Sequence, residues 1–265
     1  MSEQIGAISE RFVDEDLADH WQVDDRPETF AALAHHIGER TNFRPYFERA
    51  LRDSEIQGAL TSGTVADIGA GVGWTSAIMA LDPKVRRVHL VEPSDARRVC
   101  APAVAQHFGV EAGKIKFHAG SFTNPVIDEQ VDLVVLCAAF HHCWARDIDP
   151  LFDAIHTLLK PTPNARVLIA NEHFVDWTWQ ARRLVSWAKR AIRGERSYFW
   201  PGNLRAPDPF DGEHWRSRGE VETIFSNAGF DARIEEFPGD LCLDKTTWPE
   251  KLGWHYYYAV LKPRN

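Results

Sequence analysis

Short apolar runs alternate with helix-spaced stretches between residues 64 and 170. The runs predict β-strands, and several are continuously apolar, as in strands covered on both faces. These runs are TVADI (64–68), RVHLV (87–91), KIKFHA (114–119), VDLVVLC (131–137) and ARVLIA (165–170). The spacing between them predicts helices near 74–82, 95–108 and 149–159. This alternation predicts an α/β fold with a parallel, doubly wound sheet built from βαβ units.

The pattern changes on either side of this region. Residues 171–211 are rich in aromatic and basic side chains, and we expect 171–213 to be an inserted substrate cap with helices of its own. After it, SRGEVETIFSNAGF predicts a helix that ends at Gly229, and two further strands are expected at 231–237 and 255–262. Residues 1–60 show helical spacing and predict an N-terminal helical cap, which leaves 61–262 as the main α/β domain.

Composition narrows the function classes. The 265 residues are 44% hydrophobic and 26% charged, as in a soluble globular protein. A net charge of −8 disfavours a nucleic-acid partner, because such proteins usually carry a basic surface. The four cysteines form no CxxC pair, which favours a reducing compartment. With no apolar segment suited to a signal or a membrane span, the expected location is the cytoplasm.

A glycine-rich junction carries the strongest chemical signal. Asp67, Gly69, Gly71 and Gly73 form D-x-G-x-G-x-G between a strand and a helix, where residues without Cβ let a ligand approach the main chain. The alternative is that the glycines serve close packing of strand on helix. The spacing differs from the GxGxxG of a nicotinamide-binding turn. Glu92 closes the next strand, where a carboxylate can accept both hydroxyl groups of a ribose.

Taken in order, VADIGAGVGW, VHLVEPS, FHAGSF, VDLVVLCAAFHH, LLKP and NAGF resemble a class I methyltransferase that uses S-adenosylmethionine. The likeness spans about residues 60–262. It implies a Rossmann-like, seven-stranded sheet whose last strand is antiparallel and inserted beside the sixth. It also implies that 61–262 is the methyltransferase domain.

The resemblance further implies a set of cofactor-binding residues. The methionine part of the cofactor would lie against Asp67 and the glycine backbone, and its ribose against Glu92 and Pro93. Many relatives carry an aspartate for the adenine amine where this chain has Ser121, and Phe122 would pack against the ring. The backbone near Cys137 and Ala138 would face the amino-acid end of the cofactor.

Two histidine-containing segments are candidates for catalysis. His141 and His142 follow the fourth strand, and Glu172 and His173 end the fifth. An imidazole can take the proton of a hydroxyl acceptor, whereas the alternative is that the histidine pair only shapes its loop. A divalent metal is not expected, because the acidic cluster that would bind it is incomplete. A zinc site from Cys137, His141 and Cys143 is not expected either.

Residues for the acceptor are predicted in and after the inserted cap. Aromatic side chains can wall an apolar or ring-shaped acceptor, or else form the core of the cap. The candidates are Trp179, Tyr198, Trp200, His214 and Arg216. The segment ARRLVSWAKRAIRGER is a basic amphipathic helix that could meet an acidic substrate, a carrier protein or an anionic membrane surface, or simply be a solvated face.

These observations favour a methyltransferase that acts on an oxygen of a secondary-metabolite or sugar-like molecule. CAAF stands where base-amine methyltransferases carry an Asn/Asp-Pro-Pro-aromatic signature. N- or C-methylation of a small molecule is the first alternative, and a non-catalytic S-adenosylmethionine-binding protein or a nicotinamide-dependent oxidoreductase are others. The expected partners are the small-molecule acceptor and a second copy of the chain, with no nucleic acid and no membrane span.

Overall fold

A computed structural model describes residues 18–194, 214–237 and 254–264 of the chain. Seven strands form one sheet in the order β3-β2-β1-β4-β5-β7-β6. The strands are β1 (Thr64–Ile68), β2 (Arg87–Val91), β3 (Ile115–His118), β4 (Leu133–Cys137), β5 (Arg166–Val175), β6 (Phe230–Glu236) and β7 (Trp254–Pro263). Strands β1 to β5 are parallel, and β7 runs antiparallel between β5 and β6. The predicted fold class, including the inserted antiparallel last strand, is confirmed.

Helices connect and cover the strands. The α-helices are α1 (Pro27–His35), α2 (Phe43–Leu51), α3 (Ser54–Ala59), α4 (Trp74–Leu81), α5 (Asp95–Arg98), α6 (Ala101–His107), α7 (Ile148–Leu158), α8 (Trp177–Ile192) and α9 (Arg218–Asn227). A π-helical turn, His36–Arg40, follows α1, and short 3₁₀ turns lie at Asp19–Trp21, Phe140–His142 and Ala145–Asp147. In the described part of the chain, no helix has the length and apolar character needed to cross a bilayer.

Alternate residues of each strand pack against opposite layers of helices. In β4, Val135 faces a core shared with α4, α6 and the N-terminal helices, whereas Val134 and Leu136 face a core shared with α7 and α9. Burial on both faces explains why the strands have continuous apolar sequences.

Two predicted elements differ from the structure by more than a shift of one or two residues at their ends. The helix expected over 95–108 is two helices, because Pro102 lacks an amide hydrogen and its ring clashes with the turn that ends at Arg98. Strand β5 continues beyond Ala170 to Val175 through a bulge, at which Asn171 adopts a positive φ of 53°. Asparagine is among the few non-glycine residues that tolerate this conformation.

The N-terminal helices are tied to the sheet by polar contacts. The Asn171 side chain donates from Nδ2 to the Phe43 carbonyl at 2.8 Å. At the edge of the sheet that β6 forms, Arg233 pairs with Asp53, with 2.6 Å between Nη2 and Oδ2. The predicted cap and domain boundaries (1–60, 61–262 and 171–213) stay predictions, and residues 195–213 lie outside the described part.

Candidate active site

The strand order reverses between β1 and β4, and the turns that follow these two strands lie at one edge of the sheet, which we call the crevice. This switch point is where open α/β sheets bind ligands. Two turns meet there: the glycine turn (residues 67–73), which begins in the last two residues of β1, and the histidine turn (residues 138–143), which follows β4. A Cβ added to Gly69 would lie 3.0 Å from both the Ala139 Cβ and the Phe122 ring, so the turns are in close contact.

Each glycine of the glycine turn has a positive φ, but their surroundings differ. A Cβ on Gly73 would lie 2.6 Å from a methyl group of Leu90 and 3.1 Å from the Cβ of Ala101, so Gly73 permits close packing. A Cβ on Gly71 would meet no described atom within 4 Å. Among the described residues, the space above Gly71 is therefore open, as a ligand that lies against the main chain requires.

The amide groups of the glycine turn already have partners within the protein. Gly69 donates to the Val91 carbonyl at 2.9 Å, and Gly73 donates to the Ala70 carbonyl at 2.9 Å. Gly71 donates to Oε2 of Glu92 at 2.8 Å. The sequence led us to expect bare amide groups for a ligand, and the structure instead uses them to hold the turn.

Asp67 is fully buried at the start of the glycine turn. Its Oδ2 accepts hydrogen bonds from the hydroxyls of Thr75 and Ser76, both at 2.6 Å. Its Oδ1 has no hydrogen-bond partner among the described residues. Burial raises the pKa of Asp67 to about 6, the two hydroxyls oppose this shift, and the nearby charge of Glu92 adds to it.

Glu92 is buried at the end of β2. Its Oε1 accepts from the Ser94 amide at 2.8 Å, and its Oε2 accepts from Gly71. These contacts fix the carboxylate beside the open space above Gly71. Pro93, the next residue, is exposed, and Arg98 of α5 donates to the Glu92 carbonyl at 2.7 Å.

The remaining predicted cofactor residues line the same edge. Ser121 stabilises its own loop, since its Oγ accepts from the Asn124 amide at 3.2 Å. Phe122 is half-buried and packs beside Gly69. Cys137 ends β4, and burial raises the pKa of its thiol well above the usual value. Ala138 has a positive φ of 51°, which turns the chain at the crevice.

A buried carboxylate organises the histidine turn. Oε1 of Glu172 accepts from the amides of Ala139 and Phe140 at 2.8 and 2.7 Å. Its Oε2 accepts from the amide of His141 at 3.2 Å and lies 2.9 Å from Nδ1 of the His141 ring. A carboxylate has about four acceptor positions, and these four contacts use them. Glu172 therefore fixes both the turn and the orientation of the His141 ring.

His141, Glu172 and His173 form a cluster whose ligand-type atoms lie within 4.8 Å of one another. Two imidazoles and a carboxylate are a donor set that suits a divalent transition metal. The four hydrogen bonds that Glu172 accepts argue against a metal, because an ion would have to displace them. The ring centroids of His142 and His173 lie 4.1 and 5.1 Å from that of His141.

Residues 214–216, which precede α9, contact the histidine turn and hold it in place. The His214 amide donates to the His141 carbonyl at 2.9 Å. The buried guanidinium of Arg216 lies near the carbonyls of Phe140 and Cys143, with Nη distances of 3.3 and 2.6 Å, and 4.9 Å from the Phe140 ring centroid. Both residues were predicted to bind substrate, and in the structure they contact the turn that carries His141.

The other predicted acceptor residues are dispersed. Trp179 is buried against Trp215, with ring centroids 4.9 Å apart. This contact agrees with the alternative that the aromatic residues form a core of their own. Tyr198 and Trp200 lie outside the described residues.

Sequence reasoning missed three polar side chains near the crevice. Thr75 and Ser76 were available as hydroxyl residues in the first turn of α4, which follows the glycine turn. Asn171 precedes the predicted pair Glu172 and His173, and its Oδ1 is buried without a hydrogen-bond partner among the described residues. Only the bulge in β5 reveals its position, and a bulge leaves no clear signal in a single sequence.

Comparisons with known proteins find similarity to methyltransferases. A family model described as a methyltransferase domain matches residues 65–162. An uncharacterized methyltransferase of Bacillus velezensis is 27% identical over 180 residues, which are 67% of this chain and 74% of the relative. The structure of a DhpI–SAH complex is similar with a TM-score of 0.56 and 14% identity, covering 98% of both chains.

A second similar structure is that of the YcgJ protein from Bacillus subtilis. Its TM-score is 0.52 at 19% identity, and the match covers 82% of this chain and 99% of that one. At these identities the two structures show a shared fold over most of the chain.

Proposed function

Because this chain belongs to the class I methyltransferases, we propose that it transfers the methyl group of S-adenosylmethionine to a hydroxyl group of a small molecule. One observation carries the choice of a hydroxyl acceptor. The His141 ring is oriented by a buried carboxylate at the crevice where the open glycine turn lies. An acceptor hydroxyl has a proton to lose, and a neutral amine reacts without such a base.

Two observations support a fit between the crevice and the cofactor. The space above Gly71 is open, and Asp67 presents a buried oxygen without a described partner. The methionine part would lie against Asp67 and the glycine turn, the ribose against Glu92 and Pro93, and the adenine near Ser121 and Phe122. The backbone at Cys137 and Ala138 would bound its amino-acid end. When bound, the cofactor supplies an activated methyl group on its sulfonium.

His141 is assigned as the general base. A proton on Nδ1, donated to Glu172, leaves the lone pair of Nε2 to accept the acceptor proton. The proton that the acceptor oxygen loses on methylation would then reside on Nε2 of His141. Glu172 then stabilises the imidazolium, as a buried carboxylate does for a catalytic histidine.

The other candidates have supporting roles in this proposal. His142 and His173 shape the pocket beside His141, while His214 and Arg216 are positioning residues that hold the turn. Trp179 holds its own helix, α8, against Trp215. The described free thiols of Cys100, Cys137 and Cys143 support a reducing, cytoplasmic location.

The test is formation of S-adenosylhomocysteine from S-adenosylmethionine with matched pairs of acceptors, such as phenol with aniline and an alkyl alcohol with its amine. We expect product only from hydroxyl compounds, with one added methyl group on oxygen by mass spectrometry. The choice of acceptor would be overturned if amines or carbon atoms were methylated while the hydroxyl compounds did not react. Activity that persists after metal ions are removed with a chelator would support His141 as the base without a metal.

A further inference from the structure

Helix α8 presents an apolar stripe to solvent. Trp177, Leu184, Val185 and Ile192 are 76%, 45%, 53% and 86% exposed. At 100° per residue, these four positions fall within an arc of about 100° on the helix. They are half of the large apolar side chains that are exposed in the described part of the chain. The remaining four are spread over separate elements.

The same helix is basic. Residues 177–194 contain five arginine or lysine residues and no aspartate or glutamate, although the whole chain has a net charge of −8. The exposed Lys189 and Arg193 lie on the flank next to the Val185 edge of the stripe, about 40–80° further around the helix. The stripe is therefore bordered by positive charge on an otherwise acidic protein.

Contacts at the start of α8 fix the direction of this face. Oδ1 of Asp176 accepts from the amides of Thr178 and Trp179 at 2.8 and 3.3 Å, which caps the helix. Trp179 is buried against Trp215 and lies about 200° around the helix from Trp177. The helix is thus held through one side, and the apolar stripe lies on the opposite side.

We propose that α8 docks the protein onto an anionic lipid surface. The apolar stripe would enter the boundary between headgroups and acyl chains, while Lys189 and Arg193 contact anionic headgroups. An amphipathic helix of low net hydrophobicity, with a basic polar face and a Trp/Leu/Ile apolar face, has the composition that binds membrane interfaces. A second copy fits less well, because self-pairing of the stripe would bring the basic flanks together.

Helix α8 adjoins the candidate active site through the side opposite to the docking face. Trp179 contacts Trp215, and the neighbouring His214 contacts the carbonyl of His141. A lipid surface bound at the apolar stripe would therefore lie across α8 from the segment that contacts the histidine turn. The proposal does not depend on the identity of the acceptor or on methyl transfer.

The test is flotation of the full chain with vesicles of phosphatidylcholine alone or mixed with phosphatidylglycerol. We expect at least tenfold stronger partitioning onto the anionic vesicles, weakened by added salt. The triple variant Leu184→Gln/Val185→Gln/Ile192→Gln should lose at least tenfold, and Lys189→Gln a few-fold. The matched control Leu81→Gln/Val99→Gln replaces residues that are 49% and 73% exposed elsewhere, and it should bind like the wild type.

Several results would overturn the proposal. These are no binding to either vesicle, equal binding to neutral and anionic vesicles, or equal losses in the triple variant and the control. Sedimentation equilibrium provides a further test. A dimer that forms in the wild type but not in the triple variant, without vesicle binding, would assign the stripe to a second copy of the chain. Circular dichroism should show that all variants stay folded, because the replaced side chains are exposed.

Discussion

The glycine turn and the histidine turn lie on either side of the same crevice, and each contacts a buried glutamate, yet they are built differently. In the glycine turn, a contiguous stretch of seven residues supplies the backbone conformation, and Glu92 from the next strand accepts from one amide of the turn. In the histidine turn, Glu172 accepts from three consecutive amides and a ring nitrogen. Arg216 and His214, which are more than seventy residues away in the sequence, contact the carbonyl groups of this turn.

This difference separates two kinds of function. The glycine turn provides open space above Gly71, which suits binding of a ligand against the backbone. The histidine turn provides a side chain whose ring orientation is fixed by a carboxylate, which suits transfer of a proton. Changes in the first turn should alter cofactor affinity or folding, whereas changes in the second should alter turnover.

The largest expected effect is on turnover, in the histidine turn. His141→Ala should lower kcat by about 10²- to 10⁴-fold because the base is lost, with little change in the Kd for S-adenosylmethionine. His142→Ala is the matched control, since the described contact to Glu172 is made by the neighbouring ring. Steady-state kinetics and calorimetry measure the two quantities. A larger loss in His142→Ala would transfer the role of base to that residue.

The second effect separates folding from binding within the glycine turn. Gly73→Ala should destabilise the protein by about 2–5 kcal/mol, because the positive φ is strained and the new methyl group meets Leu90 and Ala101. Gly71→Ala should cost about 1–2 kcal/mol, since only the strain applies, and should weaken cofactor binding. Denaturant unfolding compares the two. Equal destabilisation would contradict the different surroundings of these glycines.

The third effect is the pH dependence due to Asp67. Its folded-state pKa of about 6 lies above the ordinary value of 3.8, so the folded protein binds this proton more tightly. The stability that Asp67 contributes is therefore present below about pH 4 and is lost as the pH rises to about 6. The loss is about 2–3 kcal/mol.

The matched variant for this effect is Asp67→Asn, whose amide oxygen can still accept from Thr75 and Ser76. Urea unfolding of both proteins without cofactor, at several pH values, measures the difference. The variant should gain stability relative to the wild type between pH 4 and 7. A difference that stays constant across this range would show that Asp67 does not titrate there.

Sequence could predict the fold and the glycine turn because their signals are local. Strand β1 matches its predicted bounds of 64–68, and the positions of Asp67, Gly71 and Glu92 follow from the end of a strand and the spacing to the next. Continuous apolar runs and a glycine motif are formed by neighbouring residues, so they can be recognised in a single sequence.

The histidine turn shows what sequence could not predict. The residue types His141 and Glu172 were identified, but their contact depends on the bulge at Asn171, which shifts the register of β5 against β7. The roles of His214 and Arg216 also depend on packing across the chain, and they contact the turn where substrate contact was expected. Long-range contacts of this kind leave no periodic signal.

In the proposed function, the cofactor lies over the glycine turn and Glu92 holds its ribose. Calorimetric titration of S-adenosylmethionine into the wild type, Glu92→Ala and Glu172→Gln tests it most directly. We predict that Glu92→Ala weakens binding by about 1–3 kcal/mol, through loss of a buried acceptor, while Glu172→Gln binds like the wild type. Equal affinity of the wild type and Glu92→Ala would contradict the claim.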